Sequence, residues 1–399
     1  MDGPENHGTR RPATDQTHPC TVKNLAFAQC FLLLQSVFRL GREEKGLTIL
    51  TDLPTDEFQD SAAWQDRRRI ATEWFLALSP NIKALPFSAV SFCAYPNVGS
   101  NNNELPETVV LIDRSTRTSP NTESQPVALS DVLAETSVVL ALTEFSATAP
   151  LKVLARRWKF RGATLPGFTR EMIPSLGLDY ERIHARVTVL KERLDRAHAA
   201  IALFSAGGKE QSIIFDLRYR SAHASGGLMP DPGTVANLPS GEAYIVPYEG
   251  ERSGEPSDTA GVLPVQFGDE VVLFAILKNR VINVLSVGPA SEAQRRKVLD
   301  EPAYGNIAEL GIGVLGEFGI KPVGSTLIDE KLGLHVAFGR SDHFGGVTGP
   351  DKFLDPRNVE HTDWVYVPAV QPLVRANELT LRYEDGSLET ILKQGRLLV

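Results

Sequence analysis

In the second half of this 399-residue chain, carboxylates and histidines fall into four short clusters flanked by turn residues. They are Gly241-Glu242, Ala308-Glu309-Leu310-Gly311, Asp329-Glu330 with His335, and His361-Thr362-Asp363. Carboxylate oxygen favours hard cations and imidazole favours borderline ones, so a mixed set suits zinc, cobalt or manganese, and two divalent ions could be held. His361 and Asp363 are two apart, which on an extended strand sends both side chains to one face. Glu330 and His335 are five apart, the spacing of ligands at opposite ends of a turn, with Gly333 between them to let the backbone fold back.

Two cations sharing a water lower its pKa toward neutrality and polarise a carbonyl, which is the chemistry of hydrolysis. A carboxylate not fully used as a ligand takes the proton, Glu309 first and Glu330 second. His343, in the loop Arg340-Ser341-Asp342-His343-Phe344, could donate to a developing oxyanion. A rival chemistry uses fewer residues: His335, His361 and Asp363 alone make the two-histidine, one-carboxylate set of mononuclear iron oxygenases.

One motif is set aside. Gly311-Ile312-Gly313-Val314-Leu315-Gly316 satisfies GxGxxG, but Pro302 to Glu309 before it reads as helix or loop, and Lys321-Pro322 forbids a long helix after it. A dinucleotide turn needs a strand before and a helix start after, so that helical N–H groups meet the pyrophosphate.

The elements that must position these residues differ between the halves. The first half alternates helix and strand, as an α/β layered domain does. Helices are expected over Leu25 to Leu40, Ala62 to Ala77 and Leu151 to Phe160, and strands over Leu47 to Leu50, Val109 to Ile112 and Val138 to Leu142, with a polar loop from Ser115 to Gln125. Apolar steps of three and four at Ile183, Val187, Leu190, Leu194, Ala197 and Ile201 predict one long amphipathic helix over Tyr180 to Ile201. His184 and His198 lie in it without a carboxylate at ligand spacing. From Ser212 the texture is β-rich: Ser212 to Tyr219, Ala243 to Val246, Glu270 to Leu277, Val281 to Leu285, and a closing hairpin turning at Asp385-Gly386. The expected division is a disordered tail over 1–20, an N-terminal α/β domain over 21–220 and a β-rich metal-binding domain over 221–399.

Composition excludes several classes. The net charge is -8, with no basic stripe to neutralise phosphates, so a nucleic-acid partner is not expected. Cys20, Cys30 and Cys93 are odd in number and lack CxxC spacing, which argues against disulfides and a cysteine zinc site and for a reducing, cytoplasmic compartment. Gln29, Gln35 and Arg39 interrupt the first apolar run, which therefore reads as a core helix rather than an export signal or a membrane span.

At the same clusters the sequence resembles the aminopeptidase T family of metallopeptidases. Thr164-Leu-Pro-Gly-Phe-Thr-Arg-Glu-Met172 resembles its Pro-Gly-centred motif, and Asn237-Leu-Pro-Ser-Gly-Glu242 its NLPxGE. Asn306 to Gly313, Leu327 to Lys331 with His335 to Gly339, and His361 to Asp363 are similar to the following blocks, in family order over about residues 138 to 370. The resemblance implies Glu242, Glu309, Glu330, His335, His361 and Asp363 as metal ligands. It also implies an α/β domain followed by a β-rich one, a homodimer, and removal of N-terminal residues from peptides. A tyrosine common in the family shortly after the position of His335 is absent, and Ser146-Ala-Thr-Ala149 lacks a histidine expected beside threonine. Ring-cleaving dihydroxypyridine dioxygenases resemble the same family, so the iron reading shares its fold, as does a catalytically silent peptide-binding member.

Overall fold

The computed structural model describes residues 25–113 and 125–399. The expected tail over 1–20, with Cys20, and most of the loop that begins at Ser115 lie outside the described residues.

The first half is a parallel-centred α/β layer. Strands β1 (Gly46–Leu53), β2 (Val90–Pro96), β3 (Thr108–Leu111), β4 (Pro126–Ala128), β5 (Thr136–Leu142) and β6 (Arg161–Thr164) form one sheet with the later β10 (Val235–Asn237), in the order β10-β6-β5-β1-β2-β3-β4. The pairs β1–β2, β1–β5, β5–β6 and β6–β10 are parallel. Parallel neighbours need crossovers, and α2 (Ala62–Leu78) and α3 (Thr148–Trp158) supply two of them, after α1 (Phe27–Phe38) has opened the chain. With helices covering its faces, a central strand such as β1 is buried along nearly its whole length and reads as a continuous apolar run. The sequence pattern finds β1, β3 and β5 but misses β2, β4, β6 and β10.

The next helix, α4 (Tyr180–Arg196), is capped by Asp179, whose carboxylate accepts from Arg182 N at 3.1 Å. It buries Tyr180, Ile183, Val187, Leu190 and Leu194. It does not reach Ile201. Residues Ala197–Ala206 are strand β7, with largely alternating burial, paired along its length to two neighbours. In an alanine-rich stretch, apolar steps of three and four do not distinguish a last helical turn from a strand, and pairing decides.

Two antiparallel sheets complete the molecule. The larger takes β7, β8 (Lys209–Asp216), β12 (Ala260–Phe267), β13 (Glu270–Leu277), β14 (Arg280–Val284), β18 (Val374–Tyr383), β19 (Leu388–Lys393) and β20 (Arg396–Leu397), in the order β14-β13-β12-β8-β7-β18-β19-β20. The smaller contains β9 (His223–Ser225), β11 (Glu242–Ile245), β15 (Ile307–Gly313), β16 (Leu334–Gly339) and β17 (His361–Val365), in the order β17-β16-β15-β11-β9. Strands therefore cross the expected boundary at residue 220 in both directions: β7 and β8 join C-terminal strands, and β10 returns to the N-terminal sheet. The last hairpin turns at Asp385-Gly386 as expected, through Glu384–Ser387, with Gly386 at φ 82° and the Asp385 carboxylate accepting from Ser387 N. Cys30 and Cys93 are buried and unbridged. No helix among the described residues is long and apolar enough to cross a membrane.

Candidate metal centre

One face of the smaller sheet carries the clusters. Directly opposed residues of antiparallel strands share a face, and residues two apart along a strand return to it. Tyr244 lies opposite Gly311, which lies opposite His335; Glu309 lies opposite Ala337, which lies opposite Asp363. Glu242 pairs with Gly313, and His361 with Gly339. The chemical side chains thus alternate across the sheet with glycine and alanine, which leave room above the floor for large groups to converge.

The convergence is tight. His335 Nε2 is 3.1 Å from Glu309 Oε1 and 3.6 Å from Glu242 Oε2. His361 Nε2 is 3.3 Å from Glu309 Oε2 and 3.6 Å from Asp363 Oδ1. Two groups of potential ligand atoms result, Glu242–Glu309–His335 and Glu309–His361–Asp363, with Glu309 common to both. His335 Nδ1 faces Gly333 O at 3.3 Å and His361 Nδ1 faces Arg340 O at 2.8 Å, so each ring turns Nε2 toward the carboxylates. The two-apart expectation for His361 and Asp363 is met. Gly333, expected to fold the backbone back, is extended at φ -178° instead; a side chain there would meet Val367 Cγ1 at 2.8 Å, so close packing explains the glycine.

Glu330 belongs to neither group. It follows a short helix, Thr326–Asp329, and forms an ion pair with the adjacent Lys331, a residue the sequence reading passed over. The Lys331 side chain is 1% exposed, and its Nζ also lies 3.3 Å from Glu242 Oε1. The other oxygen, Glu242 Oε2, is buried without a hydrogen-bond partner. A buried carboxylate oxygen with no donor is costly, and a cation beside His335 Nε2 supplies what is missing. The donor set therefore fits divalent metal.

The charges act strongly on one another. Burial opposes the ionised form of Glu309, but hydrogen bonds and charge from His335 and His361 outweigh it and hold its carboxyl far below the usual range. Burial also opposes protonation of His335, yet Glu309, Glu242 and Asp363 push it up to about 9. His361 is raised in the same way by Asp363 and Glu309, and Asp363 is lowered, chiefly by His361, against its burial. For Glu330, burial, opposed by Lys331 but assisted by Glu242 and Asp363, pushes the carboxyl up to about 8. Lys331 is raised because Glu242 and Glu330 overcome its desolvation.

Aromatic rings wall the centre. His343 is brought to it, its ring tilted against Phe344 at 3.9 Å and edge-on to His361 at 5.3 Å between centroids. Burial and the neighbouring His361 and Arg340 push it down to about 4, which makes it a neutral donor at pH 7. Tyr244, also missed from the sequence, packs against Phe344 and His223. Its phenol is raised well above 10 by burial and by the charges of Glu309, Glu242 and Glu330. The alternation rule that joins His361 to Asp363 also joins Tyr244 to Glu242, so the signal was present. A cavity of 520 Å³ reaches Glu360, beside His361, but contains none of the ligand candidates.

The GxGxxG stretch has a local explanation. Gly311 and Gly313 lie inside β15, not after a helix or loop; a Cβ at Gly311 would meet His335 Nε2 at 2.0 Å, and one at Gly313 would meet the Lys331 carbonyl carbon at 2.0 Å.

No family model and no curated protein matches the sequence. Solved structures do. The chain is similar to the 2,5-dihydroxypyridine dioxygenase from Pseudomonas putida, with a TM-score of 0.59 and 14% identity over 94% of this chain and 98% of that one. It is also similar to AmpT, an aminopeptidase T from Thermus thermophilus, with a TM-score of 0.52 and 14% identity over 94% and 98% of the two chains. The shared property is the fold, at a distance. The expected kinship with the aminopeptidase T family is met to that extent.

Proposed function

We propose that this chain is a metal-dependent hydrolase that removes N-terminal residues from peptides. The observation that carries the reading is the division of Glu309, which turns one oxygen to each ligand group. A carboxylate shared in this way is suited to bridging two cations. By contrast, the set His335, His361 and Asp363 does not form a group of its own, because Glu309 stands between the histidines.

Zinc, cobalt or manganese bound here would polarise a scissile carbonyl and acidify water. Glu242, Glu309, His335, His361 and Asp363 would hold the ions. Because Glu309 turns an oxygen to each ligand group, Glu330, a carboxylate outside both, would take the proton. This reverses the order expected from sequence. Neutral His343 and the Tyr244 hydroxyl supply donors for a developing oxyanion in place of the absent tyrosine.

The test is hydrolysis of a panel of aminoacyl amides and short peptides by protein loaded with cobalt, manganese or zinc. Fully loaded protein that leaves the whole panel intact ends the peptidase reading. The aromatic wall of Tyr244 and Phe344 favours a second reading, a ring-cleaving oxygenase, and a dioxygenase is among the proteins of similar fold. Oxygen uptake with ferrous iron and a dihydroxylated aromatic would establish it instead.

A further inference from the structure

Lys331 brings a fixed positive charge into a site otherwise suited to attracting divalent ions. Its backbone is held down where Gly313 passes without a side chain, and its ammonium is enclosed between Glu242 Oε1 and Glu330. Two consequences follow from that placement. Glu330 is drawn to the ammonium and joins neither ligand group. Glu242 is divided: Oε1 faces the ammonium while Oε2 is left without a partner beside His335.

We propose that Lys331 is a resident monovalent cation of the metal centre, which withholds Glu330 from the ligand set and weakens divalent-ion binding at the Glu242–Glu309–His335 group, so that the ion there exchanges readily. The proposal rests on the metal-enzyme reading above but not on peptide hydrolysis. Its physical basis is competition: an ammonium and a divalent ion draw on the same carboxylate, and like charges a few ångströms apart in a buried site repel strongly. The ammonium also keeps Glu242 from engaging an ion through both oxygens, which leaves coordination positions open for water and substrate.

The experiment titrates the full-length protein with Mn²⁺ or Zn²⁺ against a chelating dye, and counts ions per chain by elemental analysis after dialysis. In Lys331→Met, removal of a buried like charge is expected to make the weaker of the bound ions bind at least about tenfold tighter. In Glu330→Gln, the number of ions per chain is expected to stay at the wild-type value. Loss of an ion equivalent in Glu330→Gln overturns the proposal, as does unchanged or weaker binding in a folded Lys331→Met. Should Lys331→Met not fold, Lys331→Gln removes the charge while keeping a hydrogen-bonding group, and the same outcomes decide. A wild-type chain that takes up no divalent ion overturns both this proposal and the metal-enzyme reading, whereas ion binding unaffected by Lys331 overturns this one alone.

Discussion

The imidazole of His335 occupies the space that a side chain at Gly311, directly opposite on the neighbouring strand, would need; a Cβ there would come within 2.0 Å of Nε2. Gly311→Ala must therefore displace the ring from Glu309. Metal affinity is expected to fall about 10- to 100-fold, the range for residues that orient ligands. Overpacking adds about 1–3 kcal/mol of destabilisation. Titration with Zn²⁺ and thermal denaturation of the same variant measure the two effects, and wild-type affinity would show that His335 is not a ligand.

Glu309 is common to both ligand groups. Glu309→Gln leaves each group with a neutral amide in place of a carboxylate, so ion content is expected to fall at both positions together. Elemental analysis that finds only one equivalent lost would mean that the carboxylate serves a single ion.

Protons compete with metal at His335. Its pKa rises from an ordinary 6.5 to about 9 in the folded, metal-free protein, so the folded state binds this proton more tightly than the unfolded chain does. The resulting stability is fully present below pH 6.5 and is lost as the pH climbs through about 9. Glu330, raised from 4.5 to about 8, acts in the same direction: the folded state favours its proton, and stability declines across that window. Metal-free protein is thus expected to lose thermal stability between pH 6.5 and 9, while Zn²⁺ affinity rises over the same range because the imidazole must shed its proton to bind. A metal-free Tm that climbs across this window contradicts the charge arrangement.

Glu249 fastens the loop that carries His343. Its carboxylate accepts from Asn306 Nδ2 at 2.8 Å, Ser341 Oγ at 2.9 Å, Thr348 Oγ1 at 2.7 Å and Val347 N at 2.5 Å, and pairs with Arg220 at 3.2 Å. Glu249→Ala takes the acceptor from several donors at once while Arg220 keeps Glu251, and about 1–3 kcal/mol of stability is expected to be lost. Limited proteolysis should then cut within residues 341–348 before it cuts elsewhere. Unchanged stability and an uncut loop would show that the other contacts suffice.

The parts of this centre that were legible in the sequence are those fixed by local geometry. His361 and Asp363 declare a common face because strand side chains alternate, and Glu242 and Glu309 stand out as acidic residues in apolar, glycine-flanked strands. What joins them is pairing between strands far apart in the chain, which no local period encodes. Lys331 was missed because a lysine beside a glutamate ordinarily reads as a solvated pair; its burial depends on Gly313 approaching from another strand. The same limit explains α4, where the helical period ran on into β7 until the pairing partners were known. It also explains the boundary at 220, since a change of texture along the chain marks neither β7 and β8 joining later strands nor β10 returning to an earlier sheet.

His361 and Asp363 lie on β17, the outermost strand of its sheet, whereas Glu242 and Glu309 lie on inner strands. An outer strand is laddered on one side alone and opens at lower energy than its inner neighbours. The centre therefore has a hinged wall and a fixed one: fraying of β17 carries two donors away together and leaves Glu242, Glu309 and His335 in place. Loss of ions to a chelator should accordingly proceed in two phases, with the faster phase keeping pace with amide hydrogen exchange along β17.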